Sequence, residues 1–203
     1  QPLIGYEVFG KLGKALNPSH VYDRGFHPTG VIGAFASAAT VSKLIGLTNE
    51  QIANALGIAG SMASGSLEFL QTGSWTKRLH PGWAAHNGII AAELAKEGFT
   101  GPKTIIEGKN GFAKAYSMMF NPGDLTFDYS NHESFTLKTS IKPHACCRYK
   151  QGSLDIILDL VKTNDIKSEE VKEIKVYLGQ TGLKIVGEPA VAKRNPQSSV
   201  DAQ

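Results

Sequence analysis

Cysteine is nearly absent from this 203-residue chain: there are two, Cys146 and Cys147, and they are neighbours. A bridge between adjacent residues would be strained and would close no useful loop. The pair therefore points to a reducing, cytoplasmic setting rather than a secreted disulfide scaffold. No apolar run is long enough to cross a bilayer, and the first residues show no signal-peptide pattern. Charge of one sign is also missing: 21 Lys and Arg stand against 18 Asp and Glu, a net charge of +3 with the cations scattered. Neither nucleic acid nor a membrane surface is expected as a partner on that distribution. Metal-ligand spacing is absent too. There is no His-x₃-His pair, and the cysteines lack the two-residue gap of a zinc knuckle. Glycine-rich dinucleotide and P-loop fingerprints and the Gly-x-Ser-x-Gly elbow are all missing. No metal and no cofactor are expected.

What remains is small residues in helical periods. Leu3 to Leu16 reads as a helix ending at Asn17-Pro18, and His20 to Pro28 as a loop. Thr29 to Leu44 reads as a helix with almost no side-chain bulk, since Gly30, Gly33, Ala34, Ala36, Ser37, Ala38 and Ala39 fill it. Glycine costs helix propensity, so such a helix is explained by a neighbouring backbone that comes close. Thr48-Asn-Glu-Gln51 fits a capping box, with a helix to about Ser64. Another helix is expected from Pro81 to Gly98, burying Trp83, Ile90 and Leu94. After Asn121-Pro-Gly123 the period changes: Phe135 to Ile141 and Ile174 to Leu178 alternate as strands would, around a helix carrying Leu154, Ile157, Leu158 and Val161. The expected fold is mainly α, an all-helical bundle over residues 1–125 followed by the start of a smaller α+β domain over residues 134–203. The chain starts at Gln1 and stops at Gln203, and neither end reads as a natural terminus, so a fragment is expected.

Three basic junctions are candidates for chemistry. In Gly73-Ser-Trp-Thr-Lys-Arg-Leu-His-Pro-Gly82, Pro81 suits the first turn of a helix. That would place Lys77, Arg78 and His80 just before the helix N-terminus, which already favours anions; the same residues also fit a solvated basic loop. His27 precedes Pro28 at a second junction. A helix start holds an imidazole neutral, which suits a proton-transfer group near neutral pH, though a packing histidine would look the same. His86 falls on another face of its helix and reads as structural. The third junction, Lys142-Pro-His-Ala-Cys-Cys-Arg-Tyr149, offers Lys142, His144 and Arg148 to carboxylates, or is again a surface loop.

Together, Arg24-Gly-Phe-His-Pro-Thr-Gly30, Lys77-Arg-Leu-His-Pro-Gly82, Gly98-Phe-Thr-Gly-Pro102 and Glu107-Gly-Lys-Asn-Gly-Phe112 resemble the MmgE/PrpD family. That family includes 2-methylcitrate dehydratase, cis-aconitate decarboxylase and iminodisuccinate epimerase. Lys142 to Tyr149 is similar to its second-domain motif. The resemblance implies a helical domain with a smaller α+β lid, and an active site between them. It implies that His27, Lys77 and Lys142 line that site, with His80 and Cys147 beside them. It also implies a homodimer, as do helices of small residues. Two departures stand out. Lys150-Gln151 occupy the place of a histidine usual in the family, and the family's further N- and C-terminal site residues have no counterpart here, so this chain alone would be inactive.

The expected function is a metal-independent lyase on a small di- or tricarboxylate: proton abstraction next to a carboxylate, then loss of water, as in 2-methylcitrate dehydratase. Lys77, Arg78, Lys142, Cys147 and Arg148 would bind substrate; His27, His80, Lys77 and Lys142 would take part in the chemistry. Decarboxylation or epimerisation would use the same residues, and a non-catalytic helical interaction module is the alternative of another class.

Overall fold

The computed structural model describes residues 2–126, 134–187, 191 and 194–196. The chain divides into two compact units, one comprising Gln1–Glu68 and Trp75–Thr139, the other Phe69–Ser74 and Ser140–Gln203.

The first unit is a helical bundle. Its helices are α1 (Pro2–Leu16), α2 (Pro18–Asp23), α3 (Pro28–Leu44) and α4 (Asn49–Met62), then, after α5 (Phe69–Thr72) of the other unit, α6 (Thr76–Lys96) and α7 (Phe112–Tyr116). Helix α3 lies at the centre, against α1, α4 and α6. Its residues Val31, Ile32, Ala34, Phe35 and Ala38 are all buried in a core shared with Leu12, Leu16, Ala55, Ile58, Ala91, Ala95 and Phe112. The lack of bulk on α3 has the expected cause. A Cβ on Gly88 of α6 would strike Ser37 and the backbone of Ala38, and one on Gly30 would strike the Ser64 carbonyl. Glycine is what lets these backbones approach. The capping box opens α4 as expected: the Thr48 hydroxyl accepts from the Gln51 N–H at 3.3 Å, and the Gln51 side chain accepts from the Thr48 N–H at 3.0 Å.

Three local expectations are corrected. His20 to Pro28 is not all loop, because α2 occupies Pro18–Asp23: the Asn17 side chain accepts from the Ser19 N–H at 3.2 Å and Pro18 takes the first helical position. Helix α6 begins at Thr76, not at Pro81, so Lys77, Arg78 and His80 lie inside it. Finally, α6 turns its small residues inward, burying Ala84, Gly88, Ala91, Ala92 and Ala95, while Trp83, Ile90 and Leu94 are exposed. Close packing on α3 and α4 leaves no room for the large side chains on the inner face.

The second unit contains α8 (Gln151–Asn164) and α9 (Gln180–Val186). Tyr149 packs against α9 at Gly182. The expected strands are not formed among the described residues. Residues 135–139 curl into successive turns, with the N–H groups of Lys138 and Thr139 donating to the carbonyls of Phe135 and Thr136 at 3.1 Å each. Phe135 packs on Gly10 of α1, which fixes that curl. Residues 171–179 carry no ladder. Alternation supplies one face of a strand, but a ladder needs a second edge to bond to, and no described segment offers one. The helical class stands; the α+β content does not appear in the described residues. Among these residues no helix is long and apolar enough to cross a membrane.

Candidate active site

His27 sits at the N-cap of α3 with extended backbone (φ −91°, ψ 110°), and Pro28 follows at the first helical position. Its backbone is pinned from the side: the His27 N–H donates to the Gly65 carbonyl, and the Leu67 N–H to the Gly25 carbonyl, each at 2.8 Å. These bonds flank a single antiparallel bridge between Phe26 and Ser66. His80 arrives from α6, in the second turn, and is buried. Pro81 is tolerated in the same turn because the donor it lacks would have served only the Lys77 carbonyl, close to the helix start.

The two Nδ1 atoms of His27 and His80 lie 2.9 Å apart, with ring centroids at 5.1 Å. One hydrogen bond at that distance needs one proton between them, so each ring supplies a different role. Burial, then the neighbouring His80, then Lys77 hold the His27 pKa down, from 6.5 to about 4. Burial lowers that of His80 as well. Both rings are therefore neutral near pH 7. Lys77, half-buried, stands one turn before His80 on α6, and its charge reaches His27. The structure thus brings together His27, His80 and Lys77, whose shared neighbourhood spans 53 residues of sequence between the histidines. Arg78 is exposed and lies over the Trp75 ring at 5.4 Å from its centroid. His86 is exposed and stacks on Trp83, with ring planes 9° apart.

A depressed histidine pKa has a stability consequence. The unfolded state takes up a proton below about pH 6.5, and the folded state refuses it until about pH 4. His27 therefore contributes stability that is complete above pH 6.5 and lost as pH falls through that window. Urea midpoints should drop between pH 6.5 and pH 4, and less so in His27→Gln. Identical pH dependence in the two proteins would show that His27 is not held neutral by the fold.

Lys142, Cys147 and Arg148 belong to the second unit. Lys142 and Arg148 are exposed and Cys147 is half-buried. Their loop is tied by a residue flagged in the sequence only as a departure. Gln151, buried at the start of α8, accepts from the His144 N–H at 3.0 Å. Its Nε2 donates to the carbonyls of His144 and Cys146 at 3.0 and 3.2 Å, with Cys146 Sγ at 3.1 Å. His144 Nε2 also meets Asp155 at 2.6 Å. No charge is needed for this staple, and an imidazole would not offer the same acceptor-plus-two-donor pattern. In Gln151→Ala the His144 amide should exchange with solvent faster, with a local loss of about 1–3 kcal/mol for the orphaned groups. Unchanged exchange would mean that the loop is held by other contacts.

Among the described residues no group of three or more His, Cys, Asp or Glu side chains is placed to hold a metal.

Residues 3–124 match the model of the MmgE/PrpD N-terminal domain. A cis-aconitate decarboxylase of Aspergillus terreus (strain NIH 2624 / FGSC A1156) is 32% identical over 217 residues, covering 99% of this chain and 43% of that protein. The human cis-aconitate decarboxylase is 38% identical over 114 residues, covering 56% of this chain and 23% of its own length. In the mouse cis-aconitate decarboxylase the figures are 37% over 122 residues, 60% and 24%. The chain thus spans less than half the length of these curated relatives.

Proposed function

The chain belongs to the MmgE/PrpD family, and from that premise we propose that the protein is a metal-independent lyase acting on a small di- or tricarboxylate. The observation that carries the reading is the part-buried His27–His80 pair, with Lys77 one turn before His80 on α6. Breaking a bond beside a carboxylate leaves an electron pair that spreads onto its oxygens. A fixed cation offsets that developing charge, and a neutral imidazole in a desolvated place can move the proton. Lys77 supplies the first and His27 the second. Lys142 and Arg148 are the further carboxylate ligands in this reading, and Arg78 and Cys147 border the substrate.

Two reactions fit these groups with balanced atoms. In decarboxylation the carbon–carbon bond to one carboxylate breaks, carbon dioxide leaves, and the carbanion is quenched by a proton that His27 takes up from solvent when the anionic substrate binds. In dehydration His27 takes a C–H proton, the C–O bond breaks, and the leaving hydroxyl takes that proton from His27 and departs as water. The relatives' names favour decarboxylation of cis-aconitate over the 2-methylcitrate dehydration expected from the sequence. The test is a screen of the full-length protein with cis-aconitate, 2-methylcitrate, citrate and iminodisuccinate, following carbon dioxide release and the absorbance of conjugated acids. Turnover of cis-aconitate with release of carbon dioxide is expected. Turnover of 2-methylcitrate alone would assign the dehydratase, and inactivity on all four would overturn the lyase reading.

A further inference from the structure

We propose that His80 is a positioning residue for His27: its Nδ1 accepts the Nδ1–H of His27, so that Nε2 is the nitrogen through which His27 exchanges its proton. This rests on the reading of His27 as the proton-transfer group.

The number of protons decides which ring donates. The Nδ1 atoms are 2.9 Å apart, and a neutral imidazole carries one N–H. Either His27 donates and His80 accepts, or the reverse. In a catalytic cycle His27 must at some stage be protonated on both nitrogens, before giving a proton to a carbanion or after taking one from carbon. In that state its Nδ1 can only donate. The contact survives only if His80 presents a bare Nδ1, with its own proton on Nε2. The reverse arrangement would have to break and remake the contact at every turnover.

The surroundings leave little freedom for such movement. The His27 backbone is held by the Gly65 carbonyl at 2.8 Å. The position a Gly30 Cβ would take lies 3.5 Å from His80 Cβ, and that of a Gly65 Cβ lies 3.3 Å from His80 Nδ1. The backbone of Gly30 and Gly65 thus lies close against His80, at its Cβ and at its Nδ1 edge. Lys77 also acts electrostatically on His27, and an ammonium cannot accept a hydrogen bond. It therefore cannot replace His80 in this task. The role parallels the carboxylate that fixes a catalytic histidine's tautomer in a hydrolase triad, with one difference. A neutral imidazole orients without adding negative charge beside an anionic substrate.

Ring ¹⁵N–¹H correlation spectra at neutral pH test this directly. In the wild-type protein His27 should be protonated at Nδ1 and bare at Nε2, with the opposite pattern on His80. His80→Asn, whose side-chain oxygen replaces the accepting nitrogen, should keep the His27 tautomer. His80→Ala should release His27 to a mixture and lower kcat by about 10- to 100-fold, as losing an orienting partner of a functional imidazole does, with KM little changed. Partial recovery of kcat in His80→Asn is expected. An Nε2–H His27 in the wild type, or the same tautomer in wild type and His80→Ala, would overturn the proposal. If the alanine variant does not fold, the wild-type and asparagine spectra decide. An unchanged turnover in His27→Gln would overturn the assignment of His27 as the proton-transfer group while leaving the tautomer result standing, so the two failures are distinguishable.

Discussion

His27→Gln should lower turnover by about 10²- to 10⁴-fold, the range typical of lost acid–base catalysis, with a much smaller effect on substrate binding. Glutamine is a fair replacement because His27 contributes no side-chain cap to α3, and its backbone bond to Gly65 does not depend on the side chain. The loss should therefore be chemical rather than structural. With a pKa near 4, the free protein carries His27 neutral throughout the physiological range. A bound polycarboxylate adds negative charge beside the ring and favours its protonated form, raising the pKa. The kcat profile, which reports the complex, should thus show its His27 limb at higher pH than the kcat/KM profile, which reports the free enzyme. A rate that falls with acid marks His27 as base; a rate that rises marks it as donor. Wild-type turnover in His27→Gln would place the proton-transfer group elsewhere.

Much of this arrangement was legible in short-range rules. Thr48 and Gln51 obey a pattern that spans four residues, and both bonds form. The glycines of α3 and α6 announced close approach, and the approach is there at Gly30 and Gly88. Errors arose where one residue can serve two local roles. Asn17-Pro18 was legible as the end of α1, yet the same pair starts α2. Pro81 suits a first helical position, yet five residues before it are already helical. Strands over 135–141 and 174–178 failed for another reason: alternation is local, whereas a ladder is a property of two segments. The direct His27–His80 hydrogen bond was not legible in local patterns; only the family resemblance put His80 beside the site of His27. Each histidine precedes a proline near a helix start, a signal of similar surroundings but not of a shared one. Only the crossing of α3 and α6 brings the two rings together. Carboxylate binding by Lys142 and Arg148 was read from the basic junction and the place of Cys147 from the resemblance, and all three remain part of the proposed function.

The second large effect is expected at Lys77. Lys77→Ala should reduce kcat/KM for a polycarboxylate by about 10- to 150-fold, the equivalent of the 1.5–3 kcal/mol carried by a charged hydrogen bond. Part of that loss should appear in KM, because a carboxylate loses a ligand in the ground state. The rest should appear in kcat, because charge on the substrate grows as the bond beside the carboxylate breaks and the missing cation is felt most there. Lys77 also acts on His27, where its charge is the third cause, after burial and His80, of the lowered pKa. Its removal should let that pKa rise, though not to 6.5, since the other two causes remain. The His27 limb of kcat/KM in Lys77→Ala should therefore move to higher pH. Lys77→Arg separates the two contributions. It keeps the charge, so the limb should stay near its wild-type position, while the broader guanidinium on a different stem alters the contact with substrate. High salt should weaken the wild-type advantage only modestly, because a half-buried cation is screened less than an exposed one. A kcat/KM unaffected by Lys77→Ala would remove Lys77 from the site. A loss in kcat/KM with an unmoved His27 limb would leave it as a substrate ligand but separate it from His27.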